Sequence, residues 1–239
     1  MISKTLMKQT IRSNLPLWLV LTVIQGAMVA MVASSGIALE MTGLAYYNMM
    51  PGLISAIYVI ITSNKLIASQ VDKGTMAYVL STPAKRSKVV TTQAMFFLGS
   101  LLIMSIISAG AHILSSYISV GSISGADIKT ILMLNLGMFV LNMALSGICF
   151  LASSVFNLSK YVVAVGGGIV GAFHLLSIMA MFGDSFHYMK NLTLVSLYDI
   201  TSIFAGTSDL VWKFIVLAGI GAVTYIIGST AFTKRDLPL

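Results

Sequence analysis

Long apolar stretches divided by short charged patches set the pattern of this chain. No formal charge falls between Arg12 and Glu40, Glu40 and Lys65, Lys88 and Asp127, Lys129 and Lys160, Lys160 and Asp184, or Lys213 and Lys234. A spanning helix needs about 20 mostly apolar residues. Six segments qualify: 15–36, 43–64, 92–117, 130–153, 161–183 and 211–232. An ionised side chain at the bilayer centre costs about 2.5–3.5 kcal/mol on insertion scales. That cost gathers the charges where helices end. The pattern predicts an all-α membrane protein with six transmembrane helices in one domain, 1–239.

Three connecting stretches have patterns of their own. In residues 1–14, Lys4, Lys8 and Arg12 form one helical stripe, as in a short helix lying along the headgroups. In 65–91, Gly74 breaks the chain and Thr75 can cap a following helix. Met76, Val79 and Leu80 then give an apolar face at i, i+3, i+4, and Pro83 stops the helix by Thr82. The expected product is a short amphipathic helix offering its apolar face to a partner. In 184–210 the apolar runs are too short to span, as in re-entrant or interfacial helices. Asn191-Leu192-Thr193 matches a glycosylation sequon by letter only.

Composition fixes the solvent. Hydrophobic residues make up 57% and charged residues 9%, against about 25% charged in soluble domains. Mean hydropathy is +0.96. A soluble enzyme or a nucleic-acid binder is excluded by this balance, and the net charge of +7 becomes a topology signal. Lys4, Lys8, Arg12, Lys65, Lys73, Lys85, Arg86, Lys88, Lys160, Lys234 and Arg235 fall on one side of six spans. Only Lys129, Lys190 and Lys213 fall on the other. The positive-inside rule puts the first face, with both termini, in the cytoplasm. The apolar run in 1–33 exceeds the 7–15 residues of a signal-peptide core and reads as the first span. One cysteine, Cys149, leaves no pair for an internal disulfide, and three scattered histidines do not build a metal site.

Candidate chemistry is sparse. No GxxxxGK[ST] occurs, and the glycine-rich 166–171 lies inside a span. Gly167 and Gly171 make a GxxxG that permits helix packing or a dimer contact. Polar residues share faces within spans: Ser105, Ser108, His112 and Ser115; Asn135, Asn142 and Ser146; His174 and Ser177. Unpaired amides in hydrocarbon are costly, so these faces look at protein or water. Interhelical hydrogen bonding is the favoured reading. A pathway lined by Gln25, Asn135, Asn142 and His174 is the functional one. No span carries a central Asp, Glu, Lys or Arg, which weakens ion-coupled transport. GxSxG, HExxH and paired acids are absent, so catalysis by this chain is not expected.

Three stretches resemble ABC-2-type transporter permeases. Residues Ile67–Arg86 are similar to that family's loop segment. Leu192–Asp199 is similar to its LTLFSLFD before the last span, and Phe232–Leu239 to its F-KRDLP ending. Two departures stand out: Gln70 replaces the usual acid of the loop, and Tyr198 replaces a common Phe. The resemblance implies a bacterial plasma-membrane exporter with two permease chains, in the expected case identical. Separate ATP-binding cassette subunits would hold ATP and Mg, so this chain binds no cofactor itself. A coupling helix at Gly74–Ser81 would dock the ATPase through Gly74, Thr75, Met76, Tyr78, Val79 and Leu80. Lys85 and Arg86 would steer it, and the 154–160 turn would make a smaller contact. The Met-rich, carboxylate-poor spans favour hydrophobic or amphipathic cargo, such as cytolytic peptides of the phenol-soluble-modulin type or peptide antibiotics. A stand-alone secondary transporter or channel is the alternative.

Overall fold

The computed structural model describes residues 2–48, 50–81, 85–180 and 192–236. They are mostly helical, with no strand among the described residues. Six helices are long and apolar enough to cross a membrane. The first is α1, Lys4–Ala33. The second is α2, Leu39–Thr42, continued through a π-turn at Gly43–Tyr47 into α3, Met50–Leu66. Two short helices follow, α4 (Ala68–Asp72) and α5 (Thr75–Leu80). The third and fourth spans are α6, Arg86–Val120, and α7, Gly125–Val155. The fifth is α8, Ser159–Val162, a π-turn at Val163–Gly167, and α9, Gly168–Met179. A 3-10 turn at Leu194–Leu197 and the short α10, Ile200–Ala205, precede the last span, α11, Asp209–Lys234.

All six expected spans are found, most of them with helix running past the apolar core. At about 1.5 Å per residue, the 35 residues of α6 extend about 52 Å, well beyond a hydrocarbon layer of about 30 Å. The helix expected in residues 1–14 runs on without a break as the first turns of α1, and Ser3 Oγ at its cap accepts from the Leu6 N–H. Of the expected fifth span, 181–183 lie outside the described residues, as do 184–191 of the outer stretch, Asn191 of the sequon, and Thr82–Ala84 with Pro83.

Helix α7 is the centre of the bundle. Its most apolar window is 67% buried, against 17% for α1 and 22% for α11. Residues of α3, α6 and α11 pack on it. The α7–α11 approach is closest where both helices lack side chains. A Cβ on Gly221 would stand 2.8 Å from Met143 Cγ and 3.1 Å from the Met143 backbone, and one on Gly147 would strike Thr224. The Ser124–Asp127 capping box starts α7: Asp127 N–H donates to Ser124 Oγ at 3.1 Å, and Ser124 N–H to Asp127 Oδ2 at 3.3 Å.

Candidate functional site

Helix α3 stops at Leu66, and the wholly buried Ile67 turns the chain out of the bundle. One hydroxyl holds this corner. Ser153 Oγ of α7 donates to the Ser63 carbonyl at 2.7 Å and accepts from the Ala68 N–H at 3.1 Å. After α4 the chain reverses at Gly74, whose φ of +69° lies in the left-handed region that glycine occupies without strain. Helix α5 follows. Thr75 is its first residue rather than its cap, correcting the expectation. Its Oγ1 reaches back to the Gln70 carbonyl at 3.1 Å and ties the two short helices together. Asp72 Oδ2 accepts from the Ser159 N–H at 3.1 Å, so the 65–91 loop and the 154–160 turn form one joined surface.

The apolar periodicity of α5 is as expected, but its direction is not. Met76 is fully buried, and half-buried Val79 and Leu80 pack against the chain's own core. A side chain sealed inside its own bundle has no surface to give a partner, so Met76 is no docking contact. Tyr78 projects outward with 79% of its surface exposed, flanked by exposed Gly74, Thr75 and Ser81. Lys85 is exposed just before α6. Arg86 is half-buried, and its Nη1 donates to the Arg235 carbonyl at 2.8 Å, closing the end of α11. Arg86 therefore serves its own chain at least in part. Burial, with the Arg86 charge, lowers the pKa of Arg235, which lies 5.4 Å over the Phe232 ring.

Inside the membrane region the organising feature is the π-turn at Gly43–Tyr47, which aims two buried tyrosines inward. Tyr46 O–H donates to the Gln25 carbonyl at 2.9 Å. Tyr47 Oη accepts from Asn135 Nδ2 at 2.7 Å and lies 3.0 Å from His112 Nδ1. Hydrophobic periodicity carries no pointer to these tyrosines, because a π-turn leaves no periodic signature. Beside Tyr47 is a cavity of about 20 Å3, room for a single water. His174, Ser177 and Tyr198 line it. His174 Nδ1 contacts the Val170 carbonyl at 2.9 Å, so Nδ1 donates. Its Nε2 is then a buried acceptor without a partner.

Of the pathway candidates, His174 lines this cavity. Asn135 bonds Tyr47. Gln25 and Asn142 are buried, each with its side-chain oxygen unpartnered. Interhelical bonds hold Ser146, to whose Oγ Tyr225 O–H donates at 2.9 Å, and also Ser100, to whose Oγ Tyr58 O–H donates at 2.7 Å. Gly167 and Gly171 do not act together. A Cβ on Gly167 would stand 3.1 Å from Ile60 of α3, whereas Gly171 faces open space. The GxxxG is therefore half an internal contact.

On the opposite end Asp199 caps α10 and pairs with Lys213 Nζ at 2.9 Å. Burial pulls its pKa up. Hydrogen bonds from Lys213, Thr201 and Ser202, with the Lys213 charge, outweigh that and hold the carboxyl well below the usual carboxylate range. Glu40 is exposed in the first turn of α2. No group of three or more His, Cys, Asp or Glu side chains gathers to hold a metal among the described residues. No family model matches the chain, and no curated protein matches it in sequence.

Proposed function

We propose that this chain is the membrane-spanning permease of an ATP-driven exporter in a bacterial plasma membrane, with both termini cytoplasmic. It pairs with ATP-binding subunits that carry ATP and Mg, and with a second permease chain. Its cargo is hydrophobic or amphipathic, such as a cytolytic peptide or a peptide antibiotic. The observation that carries this reading is the α4–α5 hairpin. It stands at the lysine-rich end, its corner is bonded to the central helix through Ser153, and it raises Tyr78 into the open. A rigid projection joined to the core suits transmission of force from a partner. The open face at Gly171, beside exposed Leu175, supports a second permease chain there.

Purification of the tagged chain from native membranes in mild detergent, with mass spectrometry of what accompanies it, tests the proposal. A stoichiometric ATP-binding subunit is expected, and its loss with Tyr78→Ala would assign the docking helix. If the chain comes alone in several detergents, the exporter reading fails. A stand-alone transporter, for which His112 and His174 supply the titratable groups within the spans, would then replace it.

A further inference from the structure

At the lysine-rich end a cleft of about 850 Å3 opens between the first turns of α1 and the α4–α5 hairpin. Its walls carry Lys65, Lys73, Lys88 and Tyr78, and among the described residues neither Asp nor Glu lines it. Lys65 Nζ donates to the Ser13 carbonyl at 3.2 Å. The one ion pair among the described residues, Lys213–Asp199, lies elsewhere, so no cleft lysine is ion-paired there. Thr10 and Asn14, 5% and 3% exposed, form the deep part. Asn14 Nδ2 donates to the Thr10 carbonyl at 2.9 Å, but Asn14 Oδ1 has no partner.

A cationic wall without carboxylates calls for an anion, because uncompensated like charges repel. A buried acceptor without a donor calls for an O–H or N–H, since leaving it bare forfeits the hydrogen bonds it made in water. A phosphodiester bearing free hydroxyls satisfies both. We propose that this cleft binds the headgroup of a hydroxyl-bearing anionic phospholipid, of which phosphatidylglycerol is the simplest. Its phosphate lies against Lys73 and Lys88, and a glycerol hydroxyl donates to Asn14 Oδ1. A lipid is favoured over a soluble phosphate by what lies next to the cleft. Further along α1 on the face of Ser13, at i+7 and i+11 from it, Val20 and Ile24 are 56% and 42% exposed, an apolar stripe for an acyl chain. Basic pockets between membrane helices at headgroup depth hold lipid phosphates in this way. The site needs only the membrane-spanning fold. It stands or falls independently of the exporter reading.

Native mass spectrometry of the full chain, after exchange against vesicles of phosphatidylglycerol, phosphatidic acid or phosphatidylcholine, tests the site. Wild type should retain phosphatidylglycerol at least tenfold over phosphatidylcholine. Lys73→Gln with Lys88→Gln should lower that retention about tenfold, while Lys160→Gln, at the same end but outside the cleft, should not. Asn14→Ala should weaken phosphatidylglycerol and spare phosphatidic acid, whose phosphate carries no headgroup glycerol. Size-exclusion profiles matching wild type establish that each variant is folded. Equal retention of all three lipids, or equal loss with Lys160→Gln, would overturn the proposal. Displacement of the bound lipid by millimolar glycerol phosphate would overturn the lipid and leave a soluble-anion site. Lysines protected only when an ATP-binding subunit is present would assign the cleft to protein docking instead.

Discussion

Asp72 Oδ2 accepts a hydrogen bond from the Ser159 N–H at 3.1 Å, across 87 residues of sequence. Leu158, at the cap position of α8, lends no side-chain bond to that helix. Asp72 supplies the missing acceptor from another loop. Asp72→Ala should loosen the first turn of α8 by about 1 kcal/mol, the usual size of a lost cap. Hydrogen exchange at 159–162 should rise while exchange in α7 stays unchanged. If the exporter reading holds, ATP hydrolysis should also become less tightly coupled to transport.

Met76 and Tyr78 should separate stability from docking. Met76→Ala opens a hole in the core and should cost about 2–5 kcal/mol, seen as a fall in the thermal midpoint in detergent. Tyr78→Ala removes an exposed ring and should leave stability within about 0.5 kcal/mol. If the exporter reading holds, it should instead lower recovery of the ATP-binding subunit. The opposite assignment of effects would mean that α5 turns its other face outward.

Asp199 gives a pH prediction. Its pKa is lower folded than unfolded, so its contribution is full above about pH 4 and fades as pH falls through the folded value. The segment around α10 should therefore keep the same proteolytic resistance from pH 5 to 8. Asp199→Asn should weaken it across that whole range, because both the Lys213 pair and the carboxylate cap go together.

Gly221 and Gly171 should respond differently to the same change. Gly221→Leu pushes into the Met143 backbone and should destabilise the chain by about 1–3 kcal/mol or prevent its folding. Gly171→Leu meets nothing within the chain and should leave the monomer's thermal midpoint unchanged. If the exporter reading holds, Gly171→Leu should shift a dimer to monomer and so locate the second permease chain against α9.

The six spans were legible because the cost of a buried charge writes helix ends directly into sequence. Periodicity also found α5 and its apolar face. It could not say what that face meets, since a stripe of Met76, Val79 and Leu80 has the same spacing against its own core or a partner. The glycines show the same limit. GxxxG drew attention to Gly167 and Gly171, while the tightest approach uses Gly147 and Gly221, which form no motif across two helices distant in the chain. Tyr46 and Tyr47 were hidden because a π-turn shifts residues out of the 3.6 period. The link from Asp72 to Ser159 has no local signal at all.

The Ser153 hydroxyl carries a mechanical consequence. It joins the last turn of α3 and the first of α4 to the middle of the fold, so the corner beneath the hairpin has no free pivot. A load applied at Tyr78 is not absorbed by bending there. The same α7 is bonded towards its other end as well, where Tyr198 O–H donates to the Leu134 carbonyl at 3.1 Å, so one helix ties the hairpin corner to the opposite end of the bundle.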